Sequence, residues 1–384
     1  MYNGKAIRAR TPGLTLAGAL FAVATALPCF APAATPPAQT IPSQVVEQEC
    51  VAMAYAPDGR LAYATRRMIE VRRVEMRRDD IFLLGADGKP KRIVDGQRLV
   101  RSQTPFSYAI QSMRWSPDGS KLTVEMITSV FTNWERGTTE EGYLTLLIDD
   151  AGKEIKIHGG DSVITGARNS TWLADGITVV FLNETARPSL VYGIGTVRPA
   201  GGRGGAIFDK YSFAAVAWNP QQSAAVAIER DTAMKLPPRL VWLDLLKQER
   251  RELTDVSTYL GQLTLSPSGR YLAYFRDADT LEIRDVADPA RLARVRVAYG
   301  IYAWGPDETR ILMKRALERK KGNLYWIRVP ALATPAGPAV PVADSAAQPI
   351  LHGLGFRDFA LSPDGRRVAV LEPGQRHLQV FDLQ

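Results

Sequence analysis

Histidine is scarce in this chain. His158, His352 and His377 are its whole imidazole complement, and none sits at the HxH or HxxxH spacing that brings two rings onto one metal ion. No Gly-x-Ser-x-Gly elbow is present, so a serine nucleophile on a strand-to-helix turn is not indicated. The run Pro199-Ala200-Gly201-Gly202-Arg203-Gly204-Gly205 has the glycines of a phosphate cradle. It lacks a Lys-Ser/Thr pair and a following helix, and reads as a flexible loop between strands. Isolated aspartates recur in Pro-Asp-Gly turns, where turn chemistry accounts for them without calcium. No catalytic residue, metal or cofactor is assigned.

Two sets of residues remain as binding candidates. The first is aromatic: Tyr108, Tyr211, Tyr259, Tyr299 and Phe356, with Arg168, Asn169, Arg357 and Asp358 close by in sequence. Trp134 stands in the loop Phe131-Thr132-Asn133-Trp134-Glu135-Arg136. The second is basic: Arg66-Arg67, Arg72-Arg73 and Arg77-Arg78, then Lys314-Arg315 and Arg319-Lys320-Lys321. Glu70, Glu75, Asp79 and Asp80 accompany the first basic group, so a salt-bridged solvated hairpin is expected there rather than an anion site. What the aromatics do depends on the elements that carry them.

Those elements come from a repeat. Trp115-Ser116-Pro117-Asp118-Gly119 is its clearest copy, followed by Tyr55-Ala56-Pro57-Asp58-Gly59, Leu265-Ser266-Pro267-Ser268-Gly269, Trp304-Gly305-Pro306-Asp307 and Leu361-Ser362-Pro363-Asp364-Gly365. Trp172-Leu173-Ala174-Asp175-Gly176 and Trp218-Asn219-Pro220 are weaker. Proline pre-sets φ at the second turn position, and glycine supplies the left-handed residue. Lys121-Leu122-Thr123-Val124-Glu125-Met126 leaves the turn with strict alternation, the mark of a half-buried strand. A third strand follows in nearly every copy, as in Leu240 to Asp244, and a fourth after another turn, as in Lys91 to Ile93 or Lys153 to Ile157.

Four antiparallel strands in seven units, with no helical period, give an all-β fold: a seven-bladed β-propeller over residues 43–384. The last unit stops at its third strand, His377 to Leu383, while Ser43 to Glu47 has no partner of its own. The N-terminal strand is therefore expected to complete the last blade and close the ring. In such a ring the aromatics sit just before the innermost strands, at one mouth of the central channel. They either form an adaptable surface for a protein or peptide or cap the apolar layers between blades. The sequence leaves both open.

Residues 1–33 read as a secretory signal peptide: Lys5, Arg8 and Arg10, an apolar run from Leu14 to Phe30, and Ala31-Pro32-Ala33 as the cleavage end. An uncleaved anchor is the alternative. Residues 34–42 form a flexible lead-in. The net charge of +8 falls by the three basic residues of the signal, leaving a mild excess suited to loose contact with anionic surfaces and not to nucleic acid. Cleavage also removes Cys29, so Cys50 has no disulfide partner and is expected as a small buried residue. The expected location is the periplasm or the exterior, as a monomer.

The phrase Trp-Ser-Pro-Asp-Gly and the alternating strand behind it resemble the WD-like repeat of TolB-type propellers, and the propeller of prolyl-oligopeptidase-type peptidases. The resemblance runs from about Val46 to the C-terminus and implies a propeller with a binding role at its wider channel mouth. Leu173-Ala174, Gln221-Gln222 and Glu308 depart from the pattern. The function expected is non-catalytic binding of an envelope protein or peptide. A lactonase-like or sugar-active propeller enzyme, with its site in the channel, is the alternative.

Overall fold

The Pro-Asp-Gly phrase closes a hairpin wherever it occurs. The computed structural model describes residues 42–71, 73–85, 87–99, 106–133, 138–157, 161–184, 192–199, 202–230, 237–256, 258–259, 261–316, 322–334, 337–341, 349–354, 358–371 and 377–383. Within these, Gly59, Gly119, Gly176, Gly269 and Gly365 all have φ between 65° and 85°, a region that glycine enters without penalty. Gly119 donates its N–H to the Ser116 carbonyl at 2.9 Å. Asp118 accepts from the Ser116 hydroxyl (2.5 Å), the Ser120 N–H (3.0 Å) and the Ser120 hydroxyl (2.8 Å). Led by the Ser116 bond, these contacts draw its carboxyl down to about 2. The turn aspartate is thus consumed by its own turn. Two copies lack the glycine and reach the same conformation with Ser223 (φ 50°) and Glu308 (φ 58°), at some cost in backbone strain.

The chain is all-β, and its sheets give a β-propeller. Four sheets have four strands. One runs Cys50–Tyr55, Leu61–Thr65, Asp80–Leu84, Pro90–Val94, and the next Phe106–Trp115, Lys121–Asn133, Thr138–Asp149, Val163–Thr165. Another runs Tyr302–Trp304, Arg310–Ala316, Gly322–Arg328, Pro349–Leu354. In the last, Asp358–Leu361, Arg367–Leu371 and Leu378–Asp382 are joined by Gln44–Val46, paired antiparallel with Leu378 to Val380. A five-stranded sheet holds Gly261–Leu265, Tyr271–Phe275, Thr280–Asp285 and Leu292–Arg296, with Val340–Pro341 added in parallel. Two expected units share one eight-stranded sheet, from Ala167–Trp172 to Glu249–Asp255, joined at its middle by a single pairing of Tyr192 with Phe213. Sheets standing alone as four- or five-stranded units therefore number five, not seven. A small hairpin, Met68–Val71 with Val74–Arg77, is added in the first unit.

Two strand expectations are corrected. Lys153 to Ile157 is not the fourth strand of the second unit. Glu154 makes only an isolated bridge to Ile148, and Val163–Thr165, which buries Ile164, pairs with Leu144 to Leu146 instead. The glycine-rich run is not a loop, since Gly202–Ile207 is a strand paired with Tyr192–Arg198. A Cβ on Gly204 would lie 2.7 Å from the Thr196 carbonyl, so the missing side chain is what lets these backbones approach. Residues 1–41, with the expected signal peptide and nearly all of the lead-in, lie outside the described residues. Among those described, no helix is long and apolar enough to cross a membrane.

Among the described residues, seven apolar clusters fill the spaces between successive repeats. Ala62, Ile81, Ile110, Trp115 and Val124 meet between the first and second units, and Leu61, Tyr63, Ala369 and Val380 between the last and the first. Cys50 packs against the latter cluster, and burial pushes its thiol up to about 12. Polar clasps lie over three of these seams. Arg60 stacks on Trp115 (5.1 Å) and donates to the Gly119 carbonyl (2.8 Å). Lys121 does the same with Trp172 (5.2 Å) and Gly176 (2.9 Å), and Arg367 with Tyr55 (5.9 Å) and Gly59 (3.2 Å). Each clasp joins a cation–π contact to a charge-assisted hydrogen bond.

Glu282 is among the most deeply buried charged residues. Glu282, 1% exposed, lies between its cross-strand neighbours Tyr274 and Arg294. It accepts from Arg284 (2.6 and 2.8 Å), Arg294 (3.0 Å) and the Tyr274 hydroxyl. Burial alone would raise its pKa, but the Arg284 charge and these bonds prevail and hold it below the ordinary value. Its contribution is present above the unfolded-state pKa, about 4.3, and is lost as pH falls through the lower folded value. Glu282→Gln should cost about 3 kcal/mol at pH 7, with the gap to wild type narrowing on acidification in urea unfolding curves. A constant gap from pH 7 to pH 3 would contradict this account.

Candidate functional site

Connections from second to third strand and from fourth to next first strand emerge on one face, because alternate loops of an antiparallel unit project alike. The second unit extends furthest here, with paired strands of 13 and 12 residues. Tyr211 follows the strand Gly202–Ile207 and keeps 36% of its surface exposed. Arg250 lies 4.9 Å above its ring, held by Glu229 at 2.7 and 3.2 Å. Tyr299, 46% exposed, rests on Phe275 at 4.8 Å. Tyr259 is half-buried, 6.2 Å from Tyr274, and chiefly burial raises its hydroxyl pKa.

The other sequence candidates are placed differently. Tyr108 is 2% exposed, donates to the Gly96 carbonyl and lies under the Arg78 guanidinium at 5.3 Å. It offers a partner no surface and belongs to the apolar layer. Trp134, Phe356 and Arg357 lie outside the described residues. Asn169, in the left-handed region at φ 51°, is a structural tie. Its N–H donates to Glu125 (2.8 Å) and its carbonyl accepts the Trp218 indole (2.6 Å). Arg114, on the innermost strand beside it, keeps an exposed face although protein crowds it. That crowding lowers its pKa, and the Glu125 charge opposes the shift.

Sequence reasoning named Arg168, Arg66 and Lys314 on this face and missed Arg230 and Arg276. Arg168 lies between two rings, Tyr143 at 4.1 Å and Tyr192 at 5.7 Å. A basic residue directly follows the second strand in three units, as Arg66, Arg230 and Arg276, and Lys314 lies near the end of that strand in a fourth. Arg66 pairs with Glu49 at 2.6 Å, and Arg276 donates to the Thr258 hydroxyl at 3.2 Å. Arg230 keeps its Nε buried without a hydrogen bond and acts electrostatically on Tyr259. Burial lowers the Lys314 pKa, against the charge of Asp358. Arg66 and Arg276 stand at the same distance from their turn prolines, Pro57 and Pro267, so aligning the repeats would have exposed that pair. Two exposed apolar residues, Met68 (49%) and Val130 (36%), stand on the added hairpin and the extended strand of the same face.

Three arginines from the pairs of the first unit, Arg66, Arg67 and Arg77, have acid partners. Arg67 pairs with Asp80 (3.5 Å) and Asp95 (3.2 Å), and Arg77 with Asp79 (2.7 Å). Among the described residues no group of three His, Cys, Asp or Glu side chains is arranged to hold a metal. The placement separates two tyrosines by role: Tyr259→Ala should cost about 2 kcal/mol in urea unfolding, and Tyr299→Ala less than about 1 kcal/mol. Equal losses would contradict this division.

No family model matches the chain, and no curated protein matches its sequence. Solved structures do. The Cps50 (Swd1) β-propeller domain of Myceliophteria thermophila superimposes with a TM-score of 0.56 at 11% identity, covering 90% of this chain and 100% of that one. A structure from a study of two prolyl endopeptidases gives 0.53 at 12% identity, covering 84% of this chain and 46% of that one. An oligogalacturonate lyase in complex with manganese gives 0.51 at 16% identity, covering 72% and 76%. Likenesses at this identity establish the β-propeller fold alone.

Proposed function

We propose that this chain is an exported, non-catalytic propeller that binds a protein or peptide segment, preferably an acidic one, through the loop face. The observation that carries the reading is the company that face keeps. Tyr211, Tyr299, Met68 and Val130 are exposed there, among basic residues at or near the ends of second strands, Arg66, Arg230, Arg276 and Lys314. Exposed aromatic and methionine side chains with arginine beside them are the composition of protein-binding surfaces. The likeness of the repeat to TolB-type propellers, and the basic-then-apolar N-terminus, agree with an envelope setting.

For the scaffold we propose seven blades in a closed ring, the eight-stranded sheet counting as two. Three features support it: the seven interunit clusters, the single pairing at Tyr192 and Phe213, and the pairing of Gln44–Val46 with the last sheet.

Two measurements follow. Affinity capture from periplasmic extract should recover partners with the native chain and with Ile177→Asp/Leu246→Asp, changed on the opposite face, but lose them with Tyr211→Ala/Tyr299→Ala. Equal recovery by all three would refute the loop-face reading. Deleting residues 43–48 should lower Tm well beyond a loop deletion of equal length, and an unchanged Tm would exclude the closure.

A further inference from the structure

The opposite face, where the Pro-Asp-Gly turns lie, carries a cavity that the repeat alone does not build. After Gly322–Arg328 a long connection leaves the sixth unit's own sheet and crosses to the fifth. Ala333 and Leu292 exchange backbone hydrogen bonds of 3.1 Å, and Val340–Pro341 pairs with Val295–Arg296. The Val329 N–H donates to the Thr309 carbonyl at 2.8 Å, and Val329 and Leu332 pack on the core between the two units. The open cleft so formed measures about 850 Å³, within the range of small-molecule sites.

Its lining divides by chemistry. The crossing segment supplies apolar surface through Val329, Pro330, Leu332 and Val340, whereas Arg270, Arg291 and Arg328 bring guanidinium groups. The nearby acids are already engaged. Asp307 accepts from the Thr309 N–H (3.2 Å) and hydroxyl (2.8 Å), and Glu308 from the Ser268 N–H (2.5 Å) and hydroxyl (2.9 Å). Buried Asp285 accepts the N–H groups of Ala287 (2.9 Å) and Asp288 (3.2 Å). It meets Arg270 at 3.7 Å and Arg291 at 3.9 Å, too far for a hydrogen bond. No ion pair of Arg328 exists among the described residues. Guanidinium donors therefore remain available beside an apolar wall.

We infer that this cavity binds a small organic anion, its charged head on Arg270, Arg291 and Arg328 and its apolar body on Val329, Leu332 and Val340. A carboxylate and a phosphate monoester share the needed chemistry, since each accepts two parallel N–H bonds from a guanidinium fork. The site lies on the face away from Tyr211 and Tyr299 and does not depend on what they bind.

Calorimetric titration of the full chain with hexyl phosphate, hexanoate, hexanol and inorganic phosphate tests it. At least one hexyl anion should bind tenfold or more tightly than both hexanol and inorganic phosphate, and the tighter of the two identifies the head group. Arg291→Gln/Arg328→Gln, at exposed positions and checked by an unchanged Tm, should weaken that anion at least tenfold and leave hexanol unaffected. Val340→Asp should weaken it likewise. Absence of binding, equal affinity for hexanol, or full affinity in the arginine variant would overturn the inference.

Discussion

A four-stranded sheet with apolar side chains on both faces cannot stand in water, and everything else in this protein follows from that constraint. Ala62, Val124, Val226, Leu272 and Val368 are essentially unexposed because another sheet covers each of them. No unit does this for itself, so each is stable only as the neighbour of the next. The first and last units obey the same rule, since Tyr63 and Leu378 share one cluster. The clasps by Arg60, Lys121 and Arg367 act at the rims of these seams. There a guanidinium or ammonium group covers an aromatic edge while satisfying a turn carbonyl.

The same demand explains the strained backbone of the innermost strands. Asn169 and Gln262 both take positive φ within a bulge, and each turns its carbonyl to an aromatic of the following unit. Asn169 receives the Trp218 indole and Gln262 the Tyr302 hydroxyl. Bulges and left-handed residues often mark binding sites, but here their polar groups are spent on joining units. What remains for recognition is pushed outward, to the loops and to insertions that break the repeat.

That division explains what could be read from sequence. Turn chemistry is local, so Pro117-Asp118-Gly119 announces its hairpin and the alternation of Lys121 to Met126 announces the strand after it. Pairing of Gln44 with Val380 was readable as well, because a unit one strand short and a strand without a unit fit together. Choices of edge strand were not. Val163–Thr165 and Lys153 to Ile157 are both short and apolar enough, and only burial of Ile164 against its neighbours decides. The candidate site suffered most. Tyr108 and Tyr299 look alike in sequence, yet one is covered by Arg78 and the other faces solvent, a difference set by residues far away in the chain. The added strand Val340–Pro341 was hidden inside an Ala/Pro-rich stretch with no alternation to reveal it.

Departures from the repeat can matter more than its copies, and Glu308 shows how. Arg60 and Arg270 both directly follow the turn glycine, and Arg60 uses that place to clasp the next unit's turn carbonyl. Arg270 has no such clasp. The next turn carries Glu308 in place of glycine, and the Glu308 carboxylate reaches back to the N–H and hydroxyl of Ser268. The seam is still tied, with the donor in the earlier unit and the acceptor in the later one as before, but the charged side chain now comes from the later unit. Arg270 is released to lie over Tyr271 at 5.0 Å and to face Asp285, where it lines the cavity beneath the crossing segment. One substitution of glycine by glutamate thus exchanges a structural arginine for one that a ligand can use.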